Sequence, residues 1–256
     1  MEVTVEMSID YNLYMYNVGF GDAFLLKGGD YSAILDCGSV SAKNIGIDLS
    51  VVVNDMRKHF VKDNNYLVVS HFHEDHYKGV KFLQKDEIDK IVVPNFFSKS
   101  NIKMSLYALR LFSKKSAAYY FAYNLLTMLP NLINNHIIKD GGSVEFVSAG
   151  ENILDGRFRV VWPDRKKYYE LINSCLDEIE SSVEYNDSDE LFSSILNNYV
   201  ILIGIIQEEG GLILYKNEQM LVITDRLETQ IREFARTNNK IKTHNFDDIK
   251  KKIKNK

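Results

Sequence analysis

Residues 69–79 read Val-Ser-His-Phe-His-Glu-Asp-His-Tyr-Lys-Gly, and they hold three of the six histidines in the chain. His71, His73 and His76 stand with Asp75 in one short window. Imidazole and carboxylate side chains are common ligands of divalent zinc, manganese and iron. A loop that brings three imidazoles together without a metal would leave several polar groups to satisfy. The stretch therefore predicts a metal site without thiolate ligands.

The residues before this stretch indicate where the site lies in the fold. Residues 66–69 are a short apolar run rich in β-branched side chains, which predicts a buried strand. His71 then emerges at the carboxyl end of that strand, where α/β proteins commonly place their sites. His71 and His73, two residues apart on extended backbone, point the same way and can hold one ion. Asp75 and His76 follow as a helix begins, and they can face a second ion.

Length and composition indicate a globular protein with a substantial core. The chain has 256 residues, of which 45% are hydrophobic. Its net charge of -4 gives no general attraction to polyanions, so nucleic acid would need a local basic patch. Cys37 and Cys175, with no signal-like start, predict free thiols and a cytoplasmic location. No stretch approaches the roughly 20 uninterrupted apolar residues of a membrane span, so we expect no membrane contact.

The chain before the histidine cluster predicts strands, turns and one helix. Three apolar runs are separated by glycine-rich turns and predict a β-meander. These runs lie at residues 11–18, 23–26 and 31–35. Asp36 follows the third run, which places its carboxylate at a strand end. Apolar positions at helical spacing follow Asp48, a candidate N-cap, and predict a helix over residues 48–59.

The chain after the cluster predicts helices first and a sheet afterwards, within a single domain over residues 1–256. Residues 98–135 are aromatic-rich with helical spacing, which we interpret as a helical insertion that packs in the core or forms a flap against a substrate. Further apolar runs predict strands, and the last run ends at Asp225. They lie at residues 144–147, 158–162, 199–206, 212–215 and 220–224. Residues 237–256 form a basic tail that could follow a nucleic-acid backbone.

Four segments resemble, in order, the metallo-β-lactamase-fold hydrolases, and among them the subgroup similar to the hydrolase domain of the DNA-uptake channel protein ComEC. Residues 18–23 read Val-Gly-Phe-Gly-Asp-Ala and resemble the subgroup's opening Val-Gly-Gln-Gly-Asp-Ala. Residues 34–38 resemble its Asp-bearing strand end, and residues 70–79 resemble its His-x-His-x-Asp-His loop. Residues 222–225 resemble its later strand, which ends in a metal-bridging Asp. The match runs from about residue 11 to residue 225.

The resemblance implies an α/β fold, an αββα four-layer sandwich with two central sheets and a site of two divalent metal ions, zinc or manganese, at their edge. His71 and His73 would hold the first ion, and Asp75 and His76 the second. Asp225 would bridge the two ions. In such a site a hydroxide held by the metals is the nucleophile, because two cations lower the pKa of water and stabilise charge on the attacked oxygen.

The resemblance also assigns supporting residues, and the chain departs from the family pattern in its last part. Asp36 would orient a ligand histidine by a hydrogen bond and would thus be catalytic together with Asp75. Residues 197–198 are asparagines where the superfamily usually supplies a further histidine. His244 is the candidate for the late histidine that completes the second ion. Few residues follow Asp225, so relative to the family pattern we expect a C-terminal part that is truncated, degenerate or completed by a protein partner or a second copy.

These features predict a metal-dependent hydrolase of phosphodiester bonds, with DNA or RNA as the substrate that the resemblance suggests. Lys78 and Lys81 flank the cluster and could contact a phosphate backbone. The same ligands serve enzymes of small phosphoesters, lactones or thioesters, and a helical lid over the metals would favour such a substrate. A third alternative is a catalytically weak metal-binding component of a multi-protein assembly. Beside Asp36, Cys37 is expected to be a packed thiol rather than a ligand.

Overall fold

The computed structural model describes residues 11–161, 163–182 and 190–237. These residues form a mixed α/β fold with a six-stranded, mostly parallel sheet and seven α-helices. The α/β class predicted from the sequence is confirmed. His244 lies outside the described residues, as does the predicted basic tail beyond Thr237.

The six strands of the sheet lie side by side in chain order. They are β1 (Asn12–Met15), β2 (Ala23–Lys27), β3 (Ser32–Cys37), β4 (Asn65–Val68), β5 (Ile88–Pro94) and β6 (Ile138–Val147). The first three strands are antiparallel neighbours, as the predicted meander requires, and β3 to β6 run parallel. Because parallel strands end at the same edge of a sheet, the segments that follow β3 and β4 meet there.

Seven helices and a short ribbon complete the described fold. The helices are α1 (Leu49–Arg57), α2 (Glu74–Tyr77), α3 (Lys99–Leu111), α4 (Ala117–Asn134), α5 (Arg165–Ser182), α6 (Glu190–Glu208) and α7 (Glu218–Arg236). The ribbon pairs β7 (Asn152–Ile153) with β8 (Phe158–Arg159). Asp48 caps α1 as predicted, because its side chain accepts a hydrogen bond from the Ser50 amide. The predicted helical region at residues 98–135 contains α3 and α4.

The sheet buries apolar side chains on both faces. One face, which includes Leu25 and Leu67, belongs to a core that also contains buried residues of α3, α4, α6 and α7. The other face carries a smaller cluster around Tyr66 and Val92, and Leu154 of the β7–β8 turn packs on it. Burial on both faces suits the nearly continuous apolar sequence of a parallel strand.

The second half of the described chain is helical where the sequence predicted strands. The apolar runs at residues 199–206 and 220–224 lie inside α6 and α7, and residues 212–215 form no strand. These strand predictions are wrong. Seven of the nine buried residues of α6 repeat at the three- and four-residue spacing of one helix face: Phe192, Ile195, Leu196, Tyr199, Leu202, Ile203 and Ile206. A β-branched run of five to eight residues hides this period, because buried strands and buried helices look alike over so short a window.

The helical second half leaves a single large sheet in the described part of the chain. Among the described residues there is one six-stranded sheet and one two-stranded ribbon, whereas a four-layer sandwich needs two central sheets. A second central sheet of this kind is therefore not present among the described residues, and the four-layer sandwich stays a prediction.

One described helix, α6, is long and apolar enough to cross a membrane by length and composition alone. Core helices of globular proteins meet the same criteria. The buried side of α6 packs against α3 and α7, so the fold itself supplies a reason for its apolar sequence.

Gly79 generates a prediction about packing beneath the histidine cluster. A Cβ atom at Gly79 would lie 2.5 Å from Cys37 Sγ and 2.7 Å from the Cys37 carbonyl oxygen. The φ angle of Gly79 is -76°, so the obstacle to a side chain is space rather than backbone conformation. We expect Gly79→Ala to lower the free energy of unfolding by about 1–3 kcal/mol, the usual cost of overpacking. Urea denaturation of the full chain measures this change.

Gly29→Ala is the matched control for this substitution. No atom lies within 4 Å of a Cβ built at Gly29, and its φ angle is not positive. We expect its free energy of unfolding to stay within about 0.5 kcal/mol of the wild-type value or to rise slightly. Equal losses in the two variants would contradict the packing explanation.

Candidate functional site

The loop between β4 and α2 carries the predicted histidines to the carboxyl edge of the sheet. His71 lies in the loop, and His73 is the residue that precedes α2. Asp75 and His76 lie within α2 itself. The backbone of His73 is extended, and the helical conformation begins at the next residue, Glu74.

Close backbone packing holds α2 against the strand ends. The Asp22 amide donates a hydrogen bond to the Asp75 carbonyl oxygen at 2.9 Å, and the Gly38 amide donates to the Asp22 carbonyl oxygen at 2.9 Å. A Cβ atom on Gly38 would lie 2.5 Å from the His76 amide nitrogen. The segment at residues 18–23 therefore has a structural function, since its aspartate joins the helix to the end of β3.

Asp36 is presented to the site by an irregularity in β3. The pairing of β2 with β3 skips Asp36, which is thus the extra residue of a β-bulge. Its φ angle is 54°, in the left-handed region that aspartate adopts more readily than most residues. Bulges often redirect a side chain next to a functional site. Here the bulge leaves the Asp36 side chain buried at the strand end.

The Asp36 carboxylate connects β4 with α2. Its Oδ1 atom accepts a hydrogen bond from the Ser70 amide at 2.7 Å. Its Oδ2 atom accepts from the Ser70 hydroxyl and from His76 Nδ1, the latter at 2.9 Å. The Ser70 hydroxyl also lies 3.0 Å from His71 Nδ1. The resemblance led us to expect a hydrogen bond between Asp36 and a histidine of the cluster. Whether this bond orients a metal ligand is still a prediction.

Three predicted residues converge in a geometry that could hold a cation. His71, Asp75 and His76 each offer a ligand atom within 4.8 Å of the other two. The rings of His71 and His76 have centroids 3.8 Å apart, and His76 Nε2 lies 3.7 Å from Asp75 Oδ2. Burial, and then the neighbouring imidazoles, lower the pKa of His71. This shift favours the neutral imidazole that binds a metal.

A second set of ligand-type atoms surrounds the opposite nitrogen of His76. Asp22, Asp36 and His76 satisfy the same distance limit. Asp22 Oδ2 lies 3.3 Å from His76 Nδ1, the nitrogen that already contacts Asp36. Because a carboxylate accepts a hydrogen bond from a ring N–H group, we interpret the second set as hydrogen bonding to the Nδ1 side of His76.

Two of the other predicted ligands, His73 and Asp225, belong to neither of these sets. The His73 ring lies 5.0 Å from the His71 ring and 5.3 Å from Phe121 of α4, measured between centroids. Asp225 is exposed on α7, because the strand expected to end at this residue is a helix. His244 lies outside the described residues.

The N-terminal half of α4 packs against the histidine loop. Phe121 makes ring contacts with Phe72 and His73, and Asn124 Nδ2 donates a hydrogen bond to the Phe72 carbonyl oxygen at 2.8 Å. Most of α4 is buried, so the helix is part of the core as well as a wall beside the loop. The sequence signalled this region only by its aromatic content, and it gave no sign of Asn124.

The two lysines predicted to flank the cluster have local partners. Lys78 Nζ lies 3.5 Å from Glu74 Oε2 one helical turn earlier, and Lys81 Nζ lies 5.0 Å from the centre of the Phe82 ring. Contacts of this kind between partly exposed groups are weak, so neither lysine is fixed by them.

Sequence reasoning missed two residues that bind the cluster together. Ser70 directly precedes His71, and Asp22 is the aspartate of the segment at residues 18–23. Both residues lie inside segments that the resemblance had already singled out, residues 70–79 and 18–23, and this position was the sequence feature that could have identified them.

No protein-family model matches the chain, and no curated protein matches it. The likeness to metallo-β-lactamase-fold hydrolases therefore rests on the four quoted segments alone.

Cys37 lies behind the cluster and generates a prediction about thiol reactivity. Its side chain is 1% exposed, and burial raises its pKa to about 12, with a further contribution from the Asp36 charge. A thiol is reactive as the thiolate, so we expect native Cys37 not to react with a disulfide reagent at mildly alkaline pH. In denaturant its pKa should fall to the ordinary value and the thiol should react fully.

Cys175→Ser isolates the signal of Cys37 in this experiment, because the chain has only these two cysteines. Absorbance of the released thiolate gives the number of reacted groups. Rapid reaction of native Cys175→Ser protein would contradict the packed arrangement.

Proposed function

We propose that this chain is a metal-dependent hydrolase that cleaves phosphodiester bonds. The supporting observation is the convergence of His71, Asp75 and His76 at the carboxyl edge of the sheet, with Asp36 hydrogen-bonded behind them. The carboxyl ends of parallel strands are where open α/β sheets commonly place ligands.

The donor set fits a divalent ion such as zinc or manganese. Two imidazoles and a carboxylate form a mixed nitrogen and oxygen set, and the buried thiol of Cys37 belongs to neither set of ligand atoms. Two atoms that bind one ion at about 2.1 Å lie no more than about 4.2 Å apart. The separation of 3.7 Å between His76 Nε2 and Asp75 Oδ2 meets this condition. A bound cation of this type supplies a Lewis acid for a phosphoryl oxygen and an activated water.

The protein's own residues would orient these donors and shape the space beside them. Asp36 holds the His76 ring in place through its Nδ1 atom. Asp22, whose side chain is 45% exposed, places a carboxylate 3.3 Å from Nδ1 of the same ring. Phe121 and His73 form an aromatic wall against which a flat or apolar group can pack.

The choice of a nucleic-acid substrate rests on the resemblance to the ComEC-like subgroup. Three of the four resembling segments lie between residues 18 and 79, in the part of the chain that builds the site. The relation to the metallo-β-lactamase fold, including its four-layer sandwich, is part of the same proposal. The fourth resembling segment, residues 222–225, lies within α7 rather than in a strand.

A specific contact favours a second candidate, a hydrolase of small phosphoesters, lactones or thioesters. Asn124 and Phe121 of α4 pack on the histidine loop, as a helical wall over a small substrate would. The two candidates share the metal site and differ in the substrate that the site admits.

Cleavage assays on the full chain distinguish these candidates. Single-stranded and duplex DNA, RNA, an activated phosphodiester and a lactone are each incubated with manganese or zinc. We expect metal-dependent cleavage of nucleic acid, reduced at least about 100-fold in His71→Ala and Asp75→Ala, because loss of a ligand exceeds the effect of losing its support. Cleavage of the small esters alone would favour the second candidate.

Asp225→Ala is the matched control, because it removes an aspartate that is exposed on α7 and belongs to neither set of ligand atoms. Its rates should equal those of the wild-type protein. The absence of any metal-dependent hydrolysis would contradict the proposed function, and metal binding without hydrolysis would indicate a binding component of a larger assembly.

A further inference from the structure

We infer that the described residues of the histidine cluster bind one divalent cation rather than two, through His71 Nε2, His76 Nε2 and the Asp75 carboxylate, and that Asp36 and Ser70 select these nitrogens. The inference deepens the proposed function and rests on its metal site, but it does not depend on hydrolysis. It also departs from the two-ion arrangement that the resemblance implies.

The hydrogen bond to Asp36 determines which nitrogen of His76 is free. A carboxylate only accepts hydrogen bonds, so the proton of a neutral His76 ring lies on Nδ1, which is 2.9 Å from Asp36 Oδ2. The unprotonated nitrogen is then Nε2. This is also the nitrogen that lies 3.7 Å from Asp75 Oδ2. The available lone pair of His76 therefore faces the same space as the Asp75 carboxylate.

Ser70 transmits the same preference to His71. Its hydroxyl has one hydrogen, which it donates to Asp36 Oδ2. The hydroxyl oxygen can then only accept a bond from His71 Nδ1, which lies 3.0 Å away. His71 consequently carries its proton on Nδ1 and leaves Nε2 free. One buried carboxylate thus fixes the tautomers of both histidines, one directly and one through a hydroxyl group.

The remaining donors do not assemble a second ion site in the described part of the chain. His73 belongs to no set of three ligand atoms, and its ring packs on Phe121. Asp22 and Asp36 face His76 Nδ1, where a proton rather than a lone pair is present. Two histidines and one carboxylate leave positions open for water and substrate on a single ion.

Metal stoichiometry tests the number of ions. The metal-free full chain is titrated with zinc or manganese by calorimetry, and dialysed protein is assayed by elemental analysis. We expect one ion per chain. His71→Ala and His76→Ala should each weaken binding at least about 100-fold, since each removes a ligand whose support alone is worth 10- to 100-fold.

His73→Ala is the matched control, because it removes the same side chain from the same loop. We expect its affinity to stay within about threefold of wild type, since the ring is outside the ligand set. Two ions per chain would overturn the inference. A loss of affinity in His73→Ala equal to that in His71→Ala would also overturn it.

The tautomers are measured directly by long-range nitrogen–proton NMR of histidine-labelled, metal-free protein. His71 and His76 should both carry the proton on Nδ1 in the wild type. Ser70→Ala should remove the preference at His71, leave it at His76, and weaken metal binding about 10- to 100-fold. Ser70→Thr keeps the hydroxyl and should restore both properties.

A neutral ring of His71 or His76 that carries its proton on Nε2 in the wild-type protein would refute the inference. This measurement needs no variant, so it remains possible even if Ser70→Ala does not fold. Wild-type tautomers and affinity in a folded Ser70→Ala protein would also refute it. None of these measurements involves a substrate. An inactive protein that binds one ion would support this inference and contradict the proposed function. An active protein that binds two ions would support the proposed function and contradict this inference.

Discussion

The candidate site depends on the buried carboxylate of Asp36. A buried charge is costly unless its acceptor positions are filled, and here both oxygens accept hydrogen bonds from Ser70 and one also contacts His76. The partners lie 34 and 40 residues further along the chain. Parallel pairing of β3 with β4 brings them together, because both strands end at one edge. The contact that satisfies the charge also orients the imidazoles.

The surrounding structure serves the same contact. A bulge with a left-handed residue turns Asp36 towards α2, and the absence of side chains at Gly38 and Gly79 lets the α2 segment approach the strand end. Cys37 fills the space beneath Gly79 with a small, buried side chain. From the other side, α4 holds the loop through Asn124. Stability and site geometry therefore rest on the same few close contacts.

The two halves of the described chain differ in how far sequence reasoning reached. In the first half, turns at glycine and aspartate separate short strands, and each strand lies close to its predicted position. In the second half, the apolar runs of α6 and α7 are rich in Ile, Leu and Val, which suit a buried strand and a buried helix equally. Because residues 220–224 belong to α7, Asp225 does not lie at the strand end that the sequence predicted. Local composition does not decide between two elements when both are fully packed.

By itself, the sequence determined the types of donor, the strand that presents them and the presence of Asp36 at a neighbouring strand end. These features follow from short spacings, since two or three residues on one strand or turn have little freedom relative to each other. Only the tertiary structure decided that His76 and His71 converge with Asp75 while His73 packs on α4. It also decided the nitrogen that each ring leaves free. The reason is physical: a tautomer is set by the hydrogen-bond partner, and here that partner comes from a distant part of the chain.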